Sequence, residues 1–374
     1  MERPDYEGGG INSLPNALLA HFGLPQRGPP PRFQLGLSGR RVALVLLDGL
    51  GFDLFVKAAG DAAVRGVYKL TSVFPTTTAT VLTTLSTGLA PCQHGVVAWS
   101  FYMKEAGSIV DALQMSPIFG GRDGLNEAGY DLKSLFYAPT IFADLSRAGV
   151  KSRAFLPRGL GGGISRILYE GAEVFEYVSM YDAIINAGRF LQQNDAAYAY
   201  IYISTIDSAA HRYGPKSEEV LATARGVLEE VLRLAGRYMK DVEVLITADH
   251  GHEEIAKSEN LTGDLELLRA LDVPPYGDPR ALHLKTSRGA EGAREALRRR
   301  GDFLFLTREE AVKAGLFGPC DGRFEERLGD LLALPPRGVA ALYMFKPKNE
   351  EPLKFRGHHG GLSEDELYVP LVIA

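Results

Sequence analysis

Residues 42–47 (VALVLL) form an unbroken apolar run, bounded by Arg40 and Arg41 on one side and by Asp48 and Gly49 on the other. A short apolar run between charge and glycine predicts a strand buried on both faces, as in a parallel sheet. The pattern recurs at 198–203 (YAYIYI) and 242–246 (VEVLI), with shorter candidates at 152–155 and 368–373. Between these runs the apolar positions take helical spacing, at 181–193 and, in the longest stretch, at 216–239. Strands alternating with helices predict an α/β sheet. Residues 1–40 are rich in Gly and Pro and read as an N-terminal arm with a short helix at 14–22. Residues 260–352 change character. Their PPYGDPR, the basic helical REALRRR, the strand-like FLFLT and RFEERLGDLLALPP predict a small α+β insertion, or cap, within a core formed by 41–259 and 353–374.

Composition narrows the picture. The chain of 374 residues has room for two domains or one with an insertion, and its 45% hydrophobic and 23% charged content sets intrinsic disorder aside. A net charge of -5 argues against a dedicated nucleic-acid coat or a polybasic membrane binder. No stable nucleic-acid partner and no membrane association are expected. The first ten residues contain no apolar signal core and no run is long enough to span a bilayer, so a cytoplasmic location is expected. Two cysteines, Cys92 and Cys320, exclude a disulfide framework and a cysteine-rich zinc module, and their spacing does not favour a bridge.

The chemistry lies at the ends of the predicted strands. Asp48 follows the first, Asp207 the second, and Asp249 with His250 the third. In an open parallel sheet ligands gather at the carboxyl ends of the strands. Asp207 and His211 are four residues apart, so one helical turn puts both on one face. A second histidine pair, His358-His359, precedes Gly360-Gly361. Carboxylate with imidazole suits Zn2+, Mn2+ or iron better than Mg2+ or Ca2+. Each pair alone is a weak signal. A threonine-rich run, 76–87, follows Pro75. Its hydroxyls suit helix capping. One of them at a helix N-terminus also suits a nucleophile beside a bound phosphoryl anion.

Taken together, LLDGLG (46–51), FPTTTATVLTTLSTGLAPCQHG (74–95), YISTIDSAAHRYGP (202–215), ITADHGH (246–252) and HHGGLSEDELYVPLVI (358–373) resemble the alkaline phosphatase superfamily. Within it the chain is similar to the type I phosphodiesterase/nucleotide pyrophosphatase family, over residues 42–255 and 357–373. The resemblance implies a three-layer α/β sandwich around a mostly parallel sheet, and two divalent metal ions, zinc first, with Mn2+ or iron as alternatives. It implies that Asp207, His211 and His359 hold one metal, and that Asp48, Asp249 and His250 hold the other. Thr78, in the register Pro75-Thr76-Thr77-Thr78, would be both nucleophile and ligand of the second metal, passing through a phosphothreonine. The implied substrate is a small phosphate ester, a phosphodiester or nucleotide pyrophosphate. Two departures stand out. The family commonly follows its nucleophile with Phe-Pro-Asn, where this chain has Ala79-Thr80-Val81. The amide that helps hold a phosphoryl oxygen and the aromatic neighbour of nucleotide-cleaving members are thus both missing at these positions.

A phosphomonoesterase or phosphonate hydrolase of the same superfamily remains an alternative, as does a non-catalytic metal-binding protein on the same scaffold. The sulfatase signal Cys/Ser-x-Pro-x-Arg is absent around Thr78. His252 reads as a partner of a metal ligand, while His21, His94 and His283 read as packing or solvated residues. Arg158, Arg166 and Tyr102 are candidates for facing the substrate. The sequence leaves the oligomeric state open. The chain has only seven Asn and six Gln, and hyperthermophile proteins avoid such thermolabile amides. A thermophilic source is therefore expected, and a melting temperature in the mesophile range would remove that support.

Overall fold

The computed structural model describes residues 2–60, 66–136 and 139–374. Its centre is a seven-stranded sheet. In spatial order the strands are Gly66–Thr71, Tyr368–Ile373, Glu243–Thr247, Arg41–Leu47, Ala197–Ile203, Lys151–Pro157 and Glu173–Tyr177. The strand Tyr368–Ile373 runs antiparallel to both its neighbours, and the remaining pairs are parallel. The apolar run at 42–47 lies in the middle, with every one of its residues buried. The edge strands Gly66–Thr71 and Glu173–Tyr177 are more exposed, as their mixed polar sequence requires.

Helices form two sets. Phe52–Ala59, Met180–Gln192 and Glu218–Tyr238 pack together, and so do Ser13–His21, Thr78–Thr87 and Ile141–Arg147. The longest helix shows why this sequence is helical. Ser217 caps it by accepting from the Val220 N–H, Glu218 and Glu219 occupy its first turn, and Val220, Ala224, Val227, Leu228, Val231 and Leu234 form a buried stripe. The 1–40 stretch, expected as an arm, packs into the main core. Ile11, Leu14 and Leu19 are fully buried, and the Tyr6 hydroxyl donates to the Leu316 carbonyl at 2.8 Å. Prolines punctuate this segment, but its leucines find the core.

Within 260–352, the strands Tyr276–Asp278, Ala281–Leu284, Leu331–Leu334 and Leu304–Thr307 form a four-stranded sheet backed by the helices Leu265–Arg269 and Glu291–Arg298. This unit has a small core of its own, including Leu267, Leu282, Leu297 and Leu331. Two links tie it to the main body. Arg280, buried, reaches Glu366, also buried, at 3.3 Å. Cys320 forms a disulfide with Cys92, across 228 residues of sequence. The cysteine spacing did not favour this bridge because only the folded chain brings position 92 against the insertion. Closing so long a loop restricts the unfolded chain. Replacing both cysteines by serine is expected to lower the unfolding free energy by about 3–5 kcal/mol, measured by denaturant titration against the oxidised parent.

Candidate active site

The carboxyl ends of the three central strands meet. The Asp48 N–H donates to the Ile203 carbonyl at 2.9 Å, and the Asp207 N–H to the Asp48 carbonyl at 3.0 Å. The N–H groups of Gly49 and His250 both donate to Asp249 Oδ1, at 3.1 and 2.9 Å. This crowding explains Gly49. Its φ is +80°, and a Cβ there would lie 2.7 Å from His252 and 2.9 Å from the Asp207 Cα.

All seven residues singled out from the sequence converge. His250 Nε2 lies 3.3 Å from Asp249 Oδ2, 3.6 Å from Asp48 Oδ1 and 3.1 Å from the Thr78 Oγ1. On the other side, Asp207 Oδ1 lies 3.3 Å from His211 Nε2 and 3.8 Å from His359 Nε2. The His250 and His359 rings stack, 3.7 Å apart, and join the two groups. His252 also belongs here, with Nε2 3.1 Å from Asp207 Oδ1.

The protonation pattern suits cation binding. The Nδ1 atoms of His211, His359 and His250 bond the carbonyls of Gly357, Thr76 and Gly251 at 2.8, 2.9 and 3.1 Å. A carbonyl only accepts, so Nδ1 carries the proton and each Nε2 presents a lone pair. Burial, with the neighbouring His250, His211 and His252, pushes the His359 imidazole well below its ordinary value. Burial takes His252 down to about 4, against the pull of Asp207. Burial lowers His211 too, but Asp207 outweighs it and the net direction is up. Asp48 is pushed well above the usual carboxylate range by burial and by the charges of Asp249 and Asp207. Burial also pushes Asp207 up, but His211 and His252 hold it well below that range. Asp48 Oδ1 and Asp249 Oδ2 are buried without a hydrogen-bond partner. Two orphaned carboxylate oxygens facing one imidazole lone pair form a donor set that fits a divalent cation. The groups Asp48, Asp249, His250 and Asp207, His250, His252, His359 each place their candidate ligand atoms within 4.8 Å of one another.

Thr78 opens the helix Thr78–Thr87. Between positions 71 and 92 it is the single residue that is not buried. The other threonines do not cap this helix. Thr77, at the N-cap position, makes no capping bond. Thr83 and Thr87 donate back to the Ala79 and Thr83 carbonyls, and Thr76 ties the segment to Gly360 and Gly361. Ala79, Thr80 and Val81 are fully buried.

A cleft of about 470 Å³ opens beside Thr78. Its lining includes Trp99, Asp111 and Leu113 and, from within 260–352, Asp278, Leu342, Tyr343 and Phe345. Arg158, Arg166 and Tyr102 are not among its lining residues; Arg166 is occupied with Asp123 at 2.8 Å. His94 bonds Thr84 at 3.0 Å, His283 accepts from the Gly329 N–H at 3.1 Å and His21 bonds the Gly39 carbonyl at 2.7 Å, all outside the cleft. His358 lines the cleft but turns its Nε2 to the Pro352 carbonyl at 3.2 Å. Sequence reasoning missed Tyr202, whose hydroxyl donates to Asp48 Oδ2. Its position five residues before Asp207, in a strand read as uniformly apolar, was the available signal. It also missed Asp278, whose partners come from distant segments.

Comparison with known proteins agrees with this geometry. No curated protein sequence matches the chain. Among solved structures, murine ectonucleotide pyrophosphatase/phosphodiesterase 5 aligns with a TM-score of 0.67 at 19% identity, covering 89% of this chain and 87% of that one. The human protein of the same name aligns with a TM-score of 0.69 at 19% identity, with the same coverage. An inactive variant of the murine protein in complex with AMP aligns with a TM-score of 0.66 at 18% identity. At this identity the likeness establishes the shared fold. The family profile for type I phosphodiesterase / nucleotide pyrophosphatase matches residues 42–362, and the chain therefore belongs to that family of metal-dependent phosphodiester and pyrophosphate hydrolases.

Proposed function

We propose that this hydrolase works through Thr78, with one divalent cation held by Asp207, His211 and His359 and a second by Asp48, Asp249, His250 and the Thr78 hydroxyl. The observation that carries the reading is the placement of Thr78. It is the one residue between positions 71 and 92 that is not buried, it lines the cleft, and its hydroxyl stands 3.1 Å from His250 Nε2. Bound divalent cations at such a site lower the pKa of a hydroxyl and offset charge on the phosphoryl oxygens.

The protein's own groups do the rest. The Thr78 hydroxyl would lose its proton to solvent and attack phosphorus while the P–O bond to the leaving alcohol or phosphate breaks, giving a phosphothreonine. Water would then attack the same phosphorus, breaking the Thr78 Oγ1–P bond, releasing the phosphoryl product and returning the hydroxyl. The first turn of its helix directs backbone N–H groups toward the bound phosphoryl anion, in part taking the role of the absent Asn amide. Tyr202 steadies Asp48 by donating to Oδ2, which leaves Oδ1 for the cation. His252 holds Asp207 in the same way through Oδ1.

The mixed carboxylate and imidazole set favours zinc, with Mn2+ or iron able to substitute. Residues 260–352 act as a cap, since their Asp278, Leu342, Tyr343 and Phe345 complete the cleft. The aromatic slot missing at Ala79 is replaced by Trp99, Tyr343 and Phe345, whose rings suit a flat substrate group such as a nucleobase. A nucleotide or related small phosphodiester is the substrate we favour, and the AMP bound to the murine relative is in keeping with that class. No helix among the described residues is long and apolar enough to cross a membrane. A cytoplasmic location in a thermophilic organism reconciles the few amides with a disulfide, because intracellular disulfides are common in hyperthermophiles.

Thr78→Ala is expected to abolish nearly all turnover of bis-p-nitrophenyl phosphate while metal content, read by elemental analysis, stays near two ions per chain; wild-type turnover would refute the nucleophile. Chelation is expected to remove activity and lower the melting temperature, since cations bound to the folded state alone stabilise it. Restoring Zn2+ should reverse both effects, and an unchanged melting curve would count against the site.

A further inference from the structure

One carboxylate in the cleft has no part in the chemistry above. Asp278, at the end of the strand Tyr276–Asp278, is 2% exposed and lines the cleft with Thr77, Thr78 and His359. The Trp99 N–H donates to its Oδ2 at 3.2 Å, and the Thr77 hydroxyl bonds it as well. A Cβ placed on Gly360, the residue after His359, would lie 2.5 Å from the Asp278 Cβ. The side chain is thus wedged between the start of the Thr78 helix and the His359 loop, one residue from the nucleophile on one side and one from a ligand on the other.

Its surroundings leave its charge uncompensated. Burial pushes its carboxyl up to about 7, with the like charge of Glu366 acting the same way against its two neutral donors, so it is above that pH that it stands as an anion beside the phosphoryl site. Ala79, Thr80 and Val81 are buried away from the cleft. A phosphoryl group at Thr78 therefore has the Asp278 carboxyl among the groups that line its cleft.

We propose that Asp278 is a charge filter that opposes a second negative charge on the bound phosphoryl group. Singly charged diesters are accepted, and doubly charged monoesters are disfavoured. The charge count makes such a filter effective. Two divalent cations would bring four positive charges, which Asp48, Asp207, Asp249 and a Thr78 alkoxide would cancel, and Asp111 and Lys346, which also line the cleft, offset one another, so little net attraction would remain for a dianion. A nearby fixed charge in a partly desolvated site changes binding by about tenfold or more. The acid belongs to the insertion, so the same element that shapes the cleft sets the ester class.

This inference rests on Thr78 as the nucleophile, and the experiment separates the two. The zinc-loaded full chain, Asp278→Asn, Asp278→Ala and Thr78→Ala are assayed on mono- and bis-p-nitrophenyl phosphate, with inorganic phosphate binding followed by calorimetry. Asp278→Asn keeps the shape and removes the charge. It should raise the monoester-to-diester ratio of kcat/KM about tenfold and tighten phosphate binding by a similar factor, with Asp278→Ala moving the ratio in the same direction. An unchanged ratio and unchanged phosphate binding in both folded variants would overturn the filter. So would parallel loss of both activities, which would mark Asp278 as a hydrogen-bond donor or a purely structural acid. A silent Thr78→Ala with an unchanged Asp278→Asn ratio defeats the filter alone, whereas an active Thr78→Ala defeats the reading of the site itself.

Discussion

The structure is organised around a repulsion. Asp48, Asp207 and Asp249 are brought together at the carboxyl edge of one sheet, and the other two acids raise the cost of ionising Asp48. At about 4 Å and an effective dielectric near 20, one such pair costs about 4 kcal/mol, a large part of a domain's net stability. The pressure shows in Asp48, held well above the usual carboxylate range by burial and by its two acidic neighbours. A divalent cation held between the carboxylates would turn the same crowding into attraction. Much of the surrounding structure holds these acids in place: backbone N–H groups on Asp249, the Tyr202 hydroxyl on Asp48, and His252 on Asp207.

Residues 260–352 add a further side to the cleft. Arg280 reaches from its hairpin to Glu366, which accepts from the Gly361 N–H at 2.8 Å and so secures the loop that follows His359. The pair is buried on both sides, and breaking such a pair leaves an uncompensated charge worth about 3–5 kcal/mol. The Cys92–Cys320 bridge makes a second tie, close to the helix that presents Thr78. Residues 260–352 and the loop after His359 are thus tied together, and Asp278, Leu342, Tyr343 and Phe345 line the cleft from that side.

The elements were legible because their signals are local. The all-apolar runs at 42–47 and 198–203 admit little except central strands, and both became fully buried ones. The Asp207/His211 pair was legible because four residues make one helical turn, and the structure places it on the helix Thr205–Tyr213. The Thr78 register was legible only through resemblance, since nothing local distinguishes it from the threonines around it. The N-terminal stretch was misjudged because its prolines speak for a loop, whereas its leucines are satisfied by a surface formed elsewhere in the chain.

The sequence by itself determined the central strands, the main helices and the acids and histidines at the strand ends, because backbone propensity and side-chain type are written one residue at a time. Only the tertiary structure decided which threonine hydroxyl stands against His250, that the two cysteines meet, and that Asp278 lines the same cleft as Thr78. These are relations between segments separated by up to about two hundred residues. They are set by packing and burial, which no local pattern in the chain encodes.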